Sequence, residues 1–435
     1  METTPTALTP LKALDRIQSI DVMRGIVLFG ILLMNINMMA LAHAYEDPTT
    51  SGGASGWNLY TWITTNLLFE GTMRALFSLL FGAGMFIFLD RLEKKGAGIK
   101  AADIYFRRIL WLMLFGIIHA YLLLWKGEIL FSYSVMGLLV YSFRNLAPKK
   151  LIIIAVALFS VSTIWNYADY KATVTFMENV EMAKQFKSEG KVLTNELEEA
   201  TREWDEMQKE RTAEAIAEYN TNMQQDYFSV VAFLAPKNLE LARKYTFRYD
   251  PWDILSMMLL GIAFFKLKIL SAVKAYRFYG IMMLIGYAIG LSVNYYEVKT
   301  IIDNNFSVLS MSQTAITYDL GRVAVSLGHI GFIMLFCKLP VLALLKKALG
   351  AVGKMALTNY VMHSLFALFI FTGAGFGLFG TFQRHELLYI VFAIWIFQLI
   401  ASPLWLKYFA FGPLEWLWRN LSYNKRHALR KRRPE

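Results

Sequence analysis

The sequence predicts an all-α polytopic membrane protein of about ten transmembrane helices with a polar helical extracytoplasmic insert. Three observations carry that reading. Hydrophobic residues make up 56% of the 435 positions and charged residues only 18%, an imbalance beyond that of soluble domains. The apolar residues fall in runs of the ~20 needed to cross a bilayer. Lys and Arg gather in alternate connections between those runs, as the positive-inside rule requires. Strands are excluded because no alternating pattern occurs and an open sheet cannot satisfy its backbone in lipid.

In chain order, residues 1–19 are polar and read as a cytoplasmic N-terminus carrying Lys12 and Arg16, not as a cleavable signal. Residues 20–168 hold the first five runs, at 20–42, 71–91, 106–125, 128–147 and 149–168. Between the first two lies "GWNLYTWITTNLLFE" (56–70), whose mixture of aromatic and polar residues reads as an outer interfacial helix. Basic residues then mark the inner side. Arg91, Lys94, Lys95, Lys100, Arg107 and Arg108 follow the second run, and Arg144, Lys149 and Lys150 follow the fourth. Residues 251–411 hold five further runs, at 252–270, 277–296, 315–337, 353–375 and 386–410. Lys266, Lys268, Lys274 and Arg277 lie in one connection, and Lys338, Lys346, Lys347 and Lys354 in another. Residues 412–435 form a basic tail behind an aromatic belt at Trp416, Trp418 and Tyr423. Ten spans put both termini in the cytoplasm.

Residues 169–250 break the pattern. They carry 16 acidic against 11 basic residues, a local charge of −5, in helix-forming stretches such as "NELEEATREWDEMQKERTAEAIAEYN". Long acidic loops translocate regardless of charge. The insert reads as an outer helical cap, with a homodimer contact and a substrate lid as its two candidate roles.

The net charge of +11 does not point to nucleic acid, because the basic residues sit where membrane topology places them. The single cysteine, Cys337, allows no intrachain disulfide and no CxxC site. No HExxH, no His pair at i, i+4 and no GxxxxGK[ST] occurs, so neither a metal nor a prosthetic group is expected. "FGAGMF" (81–86) is read as a helix contact and "GAGFGLFG" (373–380) as an outer turn.

Polar residues inside the runs are the candidates for function, because lipid penalises them. Asp21 and Arg24 share one face at the inner end of the first run. Asn35 follows Arg24 by eleven residues, about three turns or ~16 Å, on nearly the same face. His43 closes the run. His119 lies about as deep in the third, with Glu128 beyond its outer end. Asp319, Arg322 and His329 occupy the eighth run, and Thr358, Asn359 and His363 line one side of the ninth. Each also has a structural reading: an interfacial ion pair for Asp21–Arg24, interhelical hydrogen bonds for the Asn and His residues, a loop position for His43. Their accumulation is what exceeds packing needs.

Five segments carry a resemblance. "IDVMRGIVLFGILLMNI" (20–36), "LFSLLFGAGM" (76–85), "RRILWLMLFGIIHAYLLLWKGEILFSYSVMGLL" (107–139), "GKMALTNYVMHSL" (353–365) and "KYFAFGPLEWLWRNL" (407–421) resemble the YeiB-like family of bacterial membrane proteins, defined by domain of unknown function 418. That family is distantly similar to the transmembrane acyltransferases, which include the lysosomal heparan-α-glucosaminide N-acetyltransferase and bacterial O-acyltransferases acting on surface glycans. The O-acyltransferases carry Arg, ten intervening residues, then His; here the residue eleven after Arg24 is Asn35, not His. The lysosomal enzyme resembles this chain in having Asp-x-x-Arg-Gly, then Asn, with its catalytic His a little later in the luminal loop; the nearest equivalent here is His43, at a shorter spacing. The family-motif His119 is the other candidate.

The resemblance implies transfer of an acyl group from a cytoplasmic acyl-CoA-like donor to an extracytoplasmic or membrane-embedded glycan, lipid or small-molecule acceptor. Such transfer needs a base and hydrogen-bond donors for the oxyanion. His119 or His43 fits the first role and Asn35 the second. Arg24, with Asp21, Thr358 and Asn359, is expected to hold the anionic donor. Glu128, Asp319, Arg322, His329 and His363 are expected to line the cavity. Two other classes stay open: a transporter or channel for a small solute or lipid, and a non-catalytic membrane partner.

Overall fold

The computed structural model describes residues 17–44 and 47–431. Lys12, Arg16, the loop residues 45–46 and the last four residues of the basic tail lie outside the described residues. Helices make up the fold, and among the described residues the one β feature is an isolated bridge between Phe409 and Arg430.

The first half comprises α1 (Gln18–Ala40), α2 (Gly56–Leu68), α3 (Thr72–Lys94), α4 (Ile99–Tyr121), α5 (Leu130–Phe143) and α6 (Pro148–Ser188). The insert adds α7 (Asn195–Lys209), α8 (Ala213–Met223) and α9 (Tyr227–Arg248). The second half comprises α10 (Asp250–Lys266), α11 (Tyr276–Asp303), α12 (Val308–Lys338), α13 (Ala343–Lys354), α14 (Ala356–Phe371), α15 (Leu387–Tyr408) and α16 (Pro413–Tyr423). Each expected apolar run lies on its own helix: α1, α3, α4, α5, α6, α10, α11, α12, α14 and α15. Six helices are long and apolar enough to cross a membrane: α1, α2 running into α3, α6, α11, α12 and α15. A seventh crossing is available if α13 and α14, bent by 81° at their junction, act together. The run 149–168 is only the first half of α6, which continues without a break to Ser188.

The connections gather at two ends. At one, Gly380 N donates to Ala40 O (2.8 Å), Gly373 N to Met223 O (3.1 Å), and Arg211 meets Asp47 at 3.2 Å. At the other, Ser19 Oγ donates to Leu270 O (2.7 Å), Lys266 Nζ to Arg144 O (2.7 Å), and Trp418 Nε1 to Arg108 O (2.8 Å). The second end carries the basic connections, and is called inner below; the first is called outer.

α1 is the central helix. Buried residues fill 78% of its apolar window, against 11% for α6 and 22% for α11, which lie at the periphery. Close helix approach depends on glycine at two crossings. A methyl group on Gly82 would fall on the Met258 carbonyl, and one on Gly261 on the Leu79 carbonyl, where α3 crosses α10. Gly353 stands against the Asp21 carbonyl and Gly25 against Leu349, where α13 crosses α1.

The insert helices start on side-chain caps. Thr194 accepts from Leu197 N, Thr212 from Ala215 N, and Asp226 from Phe228 N and Ser229 N. α9 then docks on the outer ends of the bundle: Asn238 Nδ2 donates to Ala120 O (2.8 Å), and Tyr227 Oη to Leu122 O (2.8 Å).

Candidate functional site

Two cavities enter the bundle from opposite ends, and α1, α3 and α5 line both. The inner one, about 260 Å³, is walled by Asp21 and Arg24 of α1, Arg91 of α3, Arg108 of α4, Lys354 of α13, and Glu415 and Arg419 of α16. Five basic groups thus face two carboxylates. Arg24 Nη1 lies 3.3 Å from Asp21 Oδ1, and Arg108 stacks on Trp418, 3.4 Å from a ring centroid. Gly84 sits against Arg24 Nη2, so a side chain there would crowd the guanidinium. The far end of the cavity is aromatic: Phe77, Tyr133 and Tyr360.

The outer cavity, about 850 Å³, has the opposite balance. Glu70, Glu128, Asp169, Asp250, Asp253 and Asp319 line it against Arg74, Lys126 and Arg322. Asn35 lines it from α1, and Asn238, Tyr245 and Tyr249 from the insert side. The insert therefore forms part of the cavity wall. Four of the charges form one network. Arg322 donates to Asp319 through Nε (2.9 Å) and Nη2 (2.6 Å), and to Asp253 through Nη1; Arg74 Nη1 closes on the other oxygen of Asp253 at 2.5 Å. A buried arginine shared between two carboxylates is stable only as a set, since removing one member strands a charge. Asp250 and Asp253 stand in the first turn of α10, where Pro251 is well placed and acidic groups meet the helix dipole.

Between the cavities lies a thin partition. Tyr133 Oη bonds Ser78 Oγ at 2.7 Å, and Trp125 Nε1 donates to Tyr360 Oη at 3.2 Å. Tyr133 lines the inner cavity while its neighbour Ser132 lines the outer one. His119 is built into this partition and is 1% exposed. Its ring packs edge-on to Tyr360 with centroids 5.1 Å apart. Nε2 shares a 2.7 Å hydrogen bond with Ser364 Oγ. Nδ1 faces Glu128 Oε1 at 3.6 Å and has no hydrogen bond of its own. Glu128 is held by the start of α5, accepting from Leu130 N and from Phe131 N (2.9 Å). The sequence places these parts by ending α4 at Tyr121, two residues past His119, and by a short connection with Leu124 in the left-handed region (φ 56°).

Of the residues singled out from sequence, Asp21 and Arg24 lie in the inner cavity, and Asn35, Glu128, Asp319 and Arg322 in the outer one. His119 lines neither, and touches Tyr360 of the inner lining and Glu128 of the outer one. The others are engaged elsewhere. Thr358 Oγ1 donates to Glu415 Oε2 (2.5 Å), and Glu415 Oε1 also accepts from Leu357 N and Thr358 N, capping α14 from α16. Burial pushes the Glu415 carboxyl up, opposed by those Thr358 hydrogen bonds. Asn359 bonds Ser402 Oγ (3.0 Å) and Val352 O (3.2 Å), tying α14 to α15 and α13. His363 pairs with Gln398 Oε1 at 3.1 Å. His329 contacts Tyr287 Oη (2.7 Å) through Nδ1 and Leu68 O (2.9 Å) through Nε2. His43 sits in the loop after α1 with φ 52°, its ring 5.5 Å from Tyr219, and lines neither cavity. Arg384 pins that loop by donating to Ala44 O and Ser51 O; burial pulls its guanidinium down to about 10.

Sequence reading passed over Ser364, Tyr360 and Asp253, and gave Trp125, next to Glu128, no role of its own. Ser364 directly follows His363 in the quoted ninth-run motif, and Trp125 and Glu128 lie within the α4–α5 connection, residues 122–129. Among the described residues no group of His, Cys, Asp or Glu is arranged to hold a metal ion.

The fold and these cavities define an all-helical, polytopic membrane protein with opposed inner and outer cavities and a buried histidine behind their facing walls. Residues 264–425 match the family model described as protein of unknown function, DUF418. The uncharacterised protein YxaH of Bacillus subtilis (strain 168) is 29% identical over 441 residues, covering 96% of this chain and 97% of the relative. The uncharacterised protein YeiB of Escherichia coli (strain K12) is 28% identical over 427 residues, covering 94% and 97%. An uncharacterised 39.9 kDa protein of Bacillus acidopullulyticus is 25% identical over 437 residues, covering 97% and 98%. The chain is thus similar over nearly its whole length to YxaH and YeiB, and its second half matches the DUF418 model. No solved structure matches it.

Proposed function

We propose that the protein is a transmembrane acyltransferase of the bacterial inner membrane, with ten spans and both termini cytoplasmic. The donor is acyl-CoA-like and enters the inner cavity. The acceptor is a glycan, lipid or small molecule and occupies the outer one. The observation that carries this is the position of His119: a buried imidazole in the partition between a basic cavity and an acidic one, flanked by Glu128 and Ser364.

The chemistry follows from the two environments. Arg24, Arg91, Arg108, Lys354 and Arg419 suit phosphates, because charge-assisted hydrogen bonds from guanidinium are strong and can be bidentate. The thioester end of such a donor points toward the aromatic partition, where water is scarce. The acceptor approaches from the outer side, and His119 takes its proton as the acyl carbon is attacked. Glu128 holds the imidazole and stabilises its charged form, as the third group of a triad does. Asn35 and Trp125 orient groups on the outer side. The mixture of carboxylates, asparagines and aromatic rings there suits a polar acceptor that hydrogen-bonds along its length.

Release of free thiol from acetyl-CoA by purified protein, with and without candidate acceptors, tests this. His119→Ala is expected to lose turnover by ~10²-fold or more, the usual contribution of a general base. His43→Ala is the control. Loss with His43→Ala and retention with His119→Ala transfers the base role to the loop.

A second reading, transport, is favoured by one observation: the two cavities open to opposite ends and are separated by little more than Tyr133, Tyr360 and Trp125. Flux into vesicles by protein that neither binds nor turns over acyl-CoA selects it.

A further inference from the structure

We propose that Ser364 is a nucleophile, activated by His119 and Glu128, that carries the acyl group as an ester between donor and acceptor. The inference rests on the acyltransferase reading for the identity of the group carried.

The contrast among the buried histidines is the starting point. His329 satisfies both ring nitrogens, one with Tyr287 and one with a backbone carbonyl, as a histidine that only joins helices does. His363 bonds the Gln398 amide oxygen through Nε2 and leaves Nδ1 without a hydrogen bond, facing no carboxylate. His119 is the one of the three that stands between a hydroxyl and a carboxylate. Nε2 is on a serine hydroxyl at 2.7 Å, and Nδ1, without a hydrogen bond, faces a carboxylate at 3.6 Å. A proton on Nδ1 facing Glu128 leaves the Nε2 lone pair for the Ser364 O–H. That is the tautomer a nucleophile–base–carboxylate relay needs. Glu128 cannot swing away cheaply, because both of its oxygens accept backbone N–H groups at the start of α5.

Placement supports the same role. Ser364 lies one helical turn beyond Tyr360 on α14, so the two share a face. Tyr360 lines the inner cavity. Ser364 lines a small crevice whose wall includes Met38, Trp125 and Lys126, and those three also line the outer cavity. The hydroxyl therefore stands where an acyl group leaving one cavity meets the other. A carrier in the partition removes the need for donor and acceptor to touch directly.

The steps balance. Ser364 Oγ attacks the thioester carbonyl; the Oγ–C bond forms, the C–S bond breaks, and the Oγ proton passes through His119 Nε2 to the departing thiolate. An acceptor hydroxyl or amine then attacks the same carbon. Its proton goes to His119 Nε2 and on to Ser364 Oγ as the ester C–O bond breaks.

Methanesulfonyl fluoride tests this, being no larger than an acetyl donor's reacting end: whatever lets a thioester reach Ser364 admits it. Full-length protein in detergent is treated and the peptide containing Ser364 is read by mass. The expected result is sulfonylated Ser364 in the wild type, no modification of that peptide in Ser364→Ala, and a rate at least ~10²-fold lower in His119→Gln, since the base is lost. Unmodified Ser364 in folded wild type, or equal rates in wild type and His119→Gln, overturns the proposal. A parallel acetyl-CoA assay separates it from the reading it rests on. If Ser364→Ala releases thiol from acetyl-CoA as fast as wild type, the nucleophile is wrong and the acyltransferase stands. If Ser364 is sulfonylated in a His119-dependent way but acetyl-CoA is ignored, the nucleophile stands and that donor is wrong.

Discussion

Arg24 and Asn35 stand eleven residues apart on α1, and each faces a different cavity, Arg24 the inner and Asn35 the outer. Eleven residues are about three helical turns, ~16 Å of rise. One helix face therefore serves as a common wall for both cavities, and the polar residues on it mark where each cavity ends.

Arg24→Ala should weaken donor binding without unfolding the protein, because the side chain borders a cavity and packs little. Losing a charge-assisted contact to phosphate costs ~1.5–3 kcal/mol, which is about tenfold or more in affinity. Arg24→Lys should restore part of it, since Lys keeps the charge and loses the planar fork. Binding isotherms for the three proteins check the order.

Much of this was legible in the sequence. Each apolar run became a helix, because runs of Leu, Ile, Phe and Val bounded by basic or turn residues leave the backbone no other way to satisfy itself. Asp21, Arg24, Asn35, Glu128, Asp319 and Arg322 were found by depth and helical spacing alone. Three things were not legible. Ser364 is an ordinary small polar residue in an apolar helix, and only the approach of α4 to α14 gives it a histidine. Thr358 and Asn359 resemble site residues by position, but their partners Glu415 and Ser402 lie on distant helices that no local pattern connects. Asp253 lies at the start of the sixth run, and its two arginines come from α3 and α12.

The Arg322 network should be needed for the fold. Arg322→Met leaves Asp253 with Arg74 alone and Asp319 with no arginine, in a buried site. Breaking a buried ion pair from one side costs ~3–5 kcal/mol. Thermal unfolding in detergent should show a large drop, partly reversed in Arg322→Met combined with Asp319→Leu.

The α3–α10 crossing should tolerate no side chain at its glycines. Gly82→Val and Gly261→Val place a branched chain on a facing carbonyl and should cost ~1–3 kcal/mol or more through forced separation of the helices. Gly280→Val on α11, where a Cβ meets nothing and the backbone is helical, is the control in the same melting assay.

Topology is checked by cysteine labelling after replacing Cys337, the one native cysteine. A cysteine at Lys191 should react with an impermeant maleimide on intact spheroplasts, and one at Lys425 only after permeabilisation. Reaction of both from the same side contradicts ten spans.

The central claim is that the basic inner cavity holds an acyl-CoA-like donor against the partition containing His119. Calorimetric titration of acetyl-CoA into purified wild-type protein and Arg24→Ala measures it most directly. The account predicts saturable heat for the wild type at one site per chain and an affinity about tenfold or more weaker for Arg24→Ala. Equal isotherms for the two proteins, or no heat with either, contradict it.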